Sequence, residues 1–276
     1  MIHKGIGAAR DAVEPALFSV VTVVRDDLAG LVRTHASLEA QQCRDFEWIV
    51  VDGDSRDGSR DWLEANRSRI GWWRSAPDGG IYDAMNIGLG VASGRYVLFL
   101  NAGDALAEAG TLAAVATALA GAGWPDFCYG DAFETGPGGR LLLKPARSHR
   151  RVWYGMFTHH QAMFCRRAIL AGLAFNPAYP VGADYAFTIE VLGRARSHHR
   201  VSRPVCIFAP GGCSQRMASS GRRDQSLIRK SLLKHSIVRR WLIHALQLIV
   251  YNSRKYLPHV FCALRYRDRF DMVNPE

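Results

Sequence analysis

Along the first half of the chain, runs of apolar residues alternate with segments in which apolar positions recur every three or four residues. "ALFSVVTVV" (16 to 24) is apolar and β-branched almost throughout, the pattern of a strand buried on both faces. In "LAGLVRTHASLEAQQ" (28 to 42), Leu28, Leu31, Val32, His35 and Leu38 fall at helical spacing, and "FEWIVVDGDS" (46 to 55) returns to strand. A helix follows Asp57, then a short strand at "GWWRSA", a helix through "IYDAMNIGLGVAS", and the strongest strand at "RYVLFL" (95 to 100). "LAEAGTLAAVATALA" is helical by composition, "DFCYGDAF" (126 to 133) is another strand, and "HHRVSRPVCIFAPGG" is a late β segment. This alternation predicts an α/β fold, a Rossmann-like, mostly parallel sheet flanked by helices, with ligands at the carboxyl ends of the strands.

Those ends carry acids. "RDD" (25 to 27), "DGDSRDG" (52 to 58) and "NAGD" (101 to 104) follow strands one, two and four, with Asp78 and Asp83 close by in sequence. An Asp at such a place can simply cap the next helix, and Asp27 and Asp57 suit that role equally well. Three tips on neighbouring strands converge on one crevice and suit a nucleotide diphosphate held through a hard divalent cation, Mn2+ or Mg2+. Asp104 is then the metal ligand, and the ion steadies charge on a departing diphosphate. Asp52 and Asp54 can accept hydrogen bonds from a base or ribose, and Asn101 can face phosphate or metal-bound water.

The chain has 276 residues, 48% of them hydrophobic, with a net charge of +10. That length suits one catalytic domain and a tail. The beginning lacks the apolar core of a secretory signal and no run approaches a membrane span, so the expected location is cytoplasmic. Cys43, Cys128, Cys165, Cys206, Cys213 and Cys262 include no C-x-x-C pair, which disfavours a zinc knuckle or a disulfide framework. "GIGAAR" (5 to 10) mimics a dinucleotide fingerprint without its preceding strand or third glycine, and "GPGGR" (136 to 140) reads as a hairpin turn.

Taken together, "FSVVTVV", "VDGDSRDGS", "APDGGIYDAMNIGL", "GRYVLFLNAGD", "THHQAMF" and "YPVGADYAF" resemble the family 2 glycosyltransferases of the GT-A fold, specifically the WcaE-like branch of exopolysaccharide and colanic acid biosynthesis. The resemblance spans about residues 17 to 210 and implies inverting hexosyl or deoxyhexosyl transfer from a UDP-, GDP- or dTDP-sugar. It also implies a divalent metal and a carboxylate base. On that basis Asp52 and Ser55 match the nucleoside-binding tip and Asn86 matches an Asn facing the donor. The nucleotide-sugar set is Val24, Asp52, Asp54, Ser55, Asp78, Gly80, Tyr82, Asp83, Asn86, Asn101, Ala102 and Gly103. "NAGD" departs from the usual Asp-x-Asp pattern at Asn101 and Gly103, leaving Asp104 as the motif's only carboxylate. In "GADY", Ala183 replaces a first acid, and Asp184 stands alone as catalytic base; the alternative is a helix N-cap.

The acceptor side is expected to include His160, Gln161, Trp153 and Tyr185, and "GGCSQR" a mobile lid from which Arg216, or Arg222 with Arg223, contacts phosphate. Domain boundaries follow: a lead at 1–15, a catalytic domain at 16–215 (donor half 16–135, acceptor half 136–215), and a tail at 216–276. From Arg222 onward there are twelve Lys or Arg against four acids, which accounts for +8 of the net charge. From Leu227 to Tyr251, one helix places Leu227, Ser231, Val238, Trp241, Leu242, Ala245 and Ile249 on one face, with Arg229, Ser236, Arg240 and Gln247 opposite. Such a helix suits a membrane surface and a lipid-linked glycan acceptor, or packing on the domain or in a homo-oligomer; nucleic acid is not the expected partner. Rival readings are a nucleotidyltransferase, whose phosphate loop is missing after strand one, and a non-catalytic basic adaptor on a degenerate sugar-nucleotide fold.

Overall fold

The computed structural model describes residues 15–209 and 217–256. The expected strands form: β1 (Phe18–Val24), β2 (Phe46–Asp52), β3 (Trp72–Ser75) and β4 (Tyr96–Phe99) lie in the order β3-β2-β1-β4, all parallel. Helices α1 (Leu28–Glu39), α2 (Ser59–Ala65), α3 (Ile81–Val91) and α4 (Thr111–Gly121) make the connections. The sheet continues through β8 (Met163–Arg166), antiparallel to β4, then β6 (Phe127–Thr135), β9 (His198–Phe208) and the short β5 (Ala105–Leu106). β7 (Leu141–Lys144) is hairpinned onto β6, so the "GPGGR" turn stands where it was expected.

The sheet is buried on both faces because β1 and β2 are apolar at successive positions, and period-two alternation then divides one strand between two cores. Val20 and Val24 face a cluster with Leu31, Leu38, Leu98 and Leu112, under α1 and α4. Val21 and Val23 face the other, with Ile49, Val51, Met85, Phe99 and Phe187. Gly88 lets α3 lie close on the sheet, since a Cβ there would meet Val21 Cγ1 at 2.4 Å.

Helix α5 (Ala183–Arg194) closes the second core. Beyond β9 the tail forms two helices where one was expected, α6 (Ala218–Ser231) and α7 (Ile237–Tyr256). The break is at "LLKHS", where Lys234 takes φ +53°, a backbone no helix interior tolerates. α6 is packed into the body, with Asp224, Ile228 and Arg229 all buried. Cys43, Cys128, Cys165 and Cys206 are free thiols; Cys213 and Cys262, "GIGAAR", and the lid with Arg216 lie outside the described residues. Among the described residues, no helix is long and apolar enough to cross a membrane.

Candidate active site

The register Val24↔Asp52 and the pairing of β1 with β4 place three loops at one edge of the sheet. Several acids there are spent on building those loops. Asp27 caps α1 through Gly30 N–H (2.9 Å), and Asp57 accepts from Leu28 N–H (2.6 Å) and Ser59 N–H (3.0 Å). Asp26 accepts from Arg56 N–H (2.8 Å). Asp52 is fully buried and accepts from the hydroxyls of Ser55 and Ser75, so it ties β2 to β3 beneath the crevice floor, which corrects its expected contact with a base or ribose. Ser55, 8% exposed, also accepts from Asp26 N–H (2.7 Å). Val24 is buried with its carbonyl taken by Gly53 N–H (2.9 Å).

Asp54 differs. It takes φ +63°, is half-buried, and its carboxylate has no hydrogen-bond partner among the described residues. Opposite it, the "PDGG" loop is shaped by Asp78, which accepts from Gly80 N–H (2.8 Å), and Asp83, which accepts from Gly79 N–H (2.9 Å). Asp78 Oδ2 lies 2.9 Å from where a Cβ on Gly53 would stand, so this loop abuts the β2 tip.

Two residues expected at the donor do other work. Asn86 donates to Phe175 O (2.9 Å) and accepts from Phe175 N–H (2.7 Å), and Tyr82 Oη donates to Val181 O (2.8 Å). Both amide atoms of Asn86 are therefore satisfied by backbone, and with Tyr82 it clamps the donor half to the acceptor half. These are corrections to the donor set.

"NAGD" is a tight turn, with Asp104 N–H donating to Asn101 O (3.0 Å) and Gly103 at φ +93°, where glycine is favoured. Ala102 N–H donates to Val23 O (3.1 Å) and Gly103 N–H to Thr34 Oγ1 (3.1 Å). Asp104 is 3% exposed: Oδ1 accepts from Ala209 N–H (2.9 Å) and Oδ2 from Gln161 Nε2 (2.7 Å). Burial raises its pKa to about 6 against the opposing pull of those two donors, His160 and Arg33. Both carboxylate oxygens are thus engaged, Asn101 and Gly103 supply no second acid, and no cluster of three His, Cys, Asp or Glu side chains suited to a cation occurs among the described residues. Asp104 does not fit the metal-ligand role expected of it: here it braces the turn against the end of β9.

Across the crevice, Asp184 sits in the first turn of α5, whose N-cap is Gly182, so it is not the cap. Its Oδ2 is 3.4 Å from His160 Nδ1, and His160 Nε2 is 3.4 Å from Asn101 Nδ2. An imidazole that accepts from the Asn101 amide at Nε2 presents its Nδ1 N–H to Asp184. Among the described residues, Asn101 Oδ1 is buried without a partner. Beneath His160 and Asp184 lies a cavity of about 20 Å³, walled by Phe99, Phe127, Phe175 and Phe187.

The expected acceptor residues separate. His160 reaches the crevice, whereas Gln161 (2% exposed) and Tyr185 (1% exposed) are buried and cannot touch an acceptor. Tyr185 Oη donates to Val152 O (2.6 Å) and Gln161 serves Asp104. Trp153 is exposed on the surface beneath the Arg239 guanidinium, 5.3 Å from its ring centre. Sequence reading missed Asp224, which was counted only as charge. Buried on α6, it accepts from Val181 N–H (2.9 Å) and Gly182 N–H (3.1 Å), the residues leading into Asp184. Its signal was a lone acid in "GRRDQSLIRK".

Residues 19–171 match the family model described as glycosyl transferase family 2. The chain belongs to that family. A PGL/p-HBAD biosynthesis glycosyltransferase of Mycobacterium bovis (strain BCG / Pasteur 1173P2) is 34% identical over 182 residues, 63% of this chain and 69% of that one. An uncharacterized glycosyltransferase of Mycobacterium tuberculosis (strain ATCC 25618 / H37Rv) is 33% identical over 176 residues, covering 62% and 67%. Among solved structures, S. aureus TarS 1-349 in complex with UDP-GlcNAc superposes with a TM-score of 0.64 at 18% identity, over 87% of this chain and 73% of that one. The mannosyltransferase PcManGT from Pyrobaculum calidifontis, in complex with GDP-Man and Mn2+, gives 0.60 at 17% identity, over 91% and 74%. At such identities the likeness is one of fold, and it makes this family 2 glycosyltransferase a GT-A chain, as its motifs implied.

Proposed function

We propose that the chain transfers a hexosyl or deoxyhexosyl group from a nucleoside-diphosphate sugar to a hydroxyl of a lipid-linked glycan, with inversion, in exopolysaccharide assembly of the WcaE-like kind. The observation that carries the mechanism is the bridge from Asp184 through His160 to Asn101, which spans the crevice from base to donor tip. The acceptor oxygen attacks the anomeric carbon, the bond from that carbon to the diphosphate oxygen breaks, and the nucleoside diphosphate leaves with the electron pair. Asp184 takes the acceptor proton, and His160 holds its carboxylate in position. Asp54 and the "PDGG" loop receive the nucleoside, and Asn101 stands beside His160 at the donor tip.

Support for the donor class comes from the TarS and PcManGT complexes, which hold UDP-GlcNAc and GDP-Man. Mn2+ in the second belongs to that protein. In this chain Asp104 is engaged and the motif's other acids are missing, so no step is assigned to Mn2+ or Mg2+. A lipid-linked acceptor places the enzyme at a membrane surface.

The test is thermal-shift binding of UDP, GDP, dTDP and CDP, each with Mn2+ and with EDTA. Stabilisation by one nucleotide defines the donor class; no stabilisation by any removes the donor site.

A further inference from the structure

Helix α7 is built inside out. Its inward side is largely polar: Arg240 Nη1 lies 3.5 Å from Ser226 Oγ, and Gln247 donates to Tyr154 O (3.3 Å) and Gln225 Oε1 (2.9 Å). Ile243, 2% exposed, is the apolar residue pressed inward with them. Ile237, Val238, Trp241, Leu242, Leu246 and Ile249 point the other way and are 51 to 68% exposed. Among the described residues, no part of the chain's own domain covers this apolar face. A contiguous apolar face of this kind marks an interaction surface.

Charge selects the occupant. α7 contains no Asp or Glu. Arg239 is exposed at the edge of the apolar face and stands over Trp153, an exposed indole in the same short turn as the exposed Arg150 and Arg151. Lys230 and Lys234 are exposed at the corner between α6 and α7. A second copy of the chain, meeting this face about a two-fold axis, would set these cations against themselves. An anionic lipid surface brings the opposite charge, and the cationic rim, the tryptophans and the aliphatic face match the three zones of a headgroup boundary.

We infer that α7 lies in the headgroup plane of an anionic membrane with its outward face against the acyl chains. Its purpose rests on the proposed transfer to a lipid-linked acceptor; the docking itself does not. The inward anchor lies on the acceptor side: Tyr154 O receives both Gln247 and Arg229, and Val152 O receives Tyr185, the neighbour of Asp184.

The experiment is flotation of the full chain with vesicles of phosphatidylcholine alone and of phosphatidylcholine mixed with phosphatidylglycerol, at low and high salt. The wild type should float with the mixed vesicles, be largely released by salt, and stay down with neutral ones. The triple variant Trp241→Ser, Leu242→Ser, Ile249→Ser should remain unbound, with an unchanged unfolding midpoint and unchanged sugar-nucleotide hydrolysis. Failure of the wild type to float overturns the inference. So does a dimer in sedimentation that the triple variant dissociates while flotation is absent, which would make the face a homodimer interface. Flotation in a chain that neither binds nor hydrolyses any sugar nucleotide would leave this inference standing and sink the proposed function.

Discussion

Asp104→Asn distinguishes a structural acid from a metal ligand. Burial raises the Asp104 pKa from 3.8 to about 6, the largest effect opposing its two hydrogen-bond donors. At 1.36 kcal/mol per unit, holding the ionised form costs the fold about 3 kcal/mol. Because the folded pKa lies above the unfolded one, the folded state binds the proton more tightly between about pH 4 and pH 6. The contribution of Asp104 to stability therefore falls as pH rises through that window and is level above it. Asparagine does not ionise. Its Oδ1 can keep Ala209 N–H, and its Nδ2 can donate to Gln161 Oε1, which is buried and has no partner among the described residues of the wild type, once the Gln161 amide turns over. The difference in unfolding free energy, variant minus wild type, should climb by about 2–2.5 kcal/mol between pH 4 and pH 7 in urea denaturation. A variant whose stability tracks the wild type at every pH, or one that loses Mn2+-dependent nucleotide binding alone, would refute the reasoning and return Asp104 to a cation.

Asp224→Ala leaves the buried Val181 and Gly182 N–H groups without their acceptor, at about 1–3 kcal/mol each. In sugar-nucleotide hydrolysis kcat should fall while donor KM holds, with partial recovery in Asp224→Asn; a change confined to KM would show that Asp224 does not position Asp184. Asn86→Ala should lower stability by about 2–4 kcal/mol through the two freed Phe175 backbone groups. A rise in donor KM at unchanged stability would instead put Asn86 at the donor. Nucleoside-diphosphate affinity by calorimetry should persist in EDTA, and its complete loss there would show that a cation is required. Asp54→Asn, which keeps a residue suited to φ +63°, should weaken nucleotide binding at little stability cost, since the carboxylate makes no hydrogen bond among the described residues; a lower denaturant midpoint exposes any error in that reading.

The donor half was legible because its signals are local. Apolar runs and helical spacing marked β1 to β4 and α1 to α4, and the parallel order β3-β2-β1-β4 brought the three acidic tips together. What those acids do was less legible, because a carboxylate's role depends on partners distant in sequence. Asp52 meets Ser75, Asp104 meets Gln161 and Ala209, and Asn86 meets Phe175. The same limit hid Asp224, whose partners lie more than forty positions upstream. Within α7, helical periodicity separated Val238, Trp241, Leu242 and Ile249 from Arg240 and Gln247, but periodicity cannot say which face turns inward. Gln225, Tyr154 and Ser226, polar partners from elsewhere in the chain, decide that the polar face does.

The most direct test of the central claim compares wild type with Asp184→Asn in nucleotide affinity and in transfer, using slow sugar-nucleotide hydrolysis as the acceptor-independent readout. Loss of a positioned base predicts a fall in kcat of about 10²–10⁴-fold with nucleotide affinity intact. Turnover at the wild-type rate in Asp184→Asn would contradict the account, because the His160 bridge would then end on a carboxylate that takes no part in the reaction.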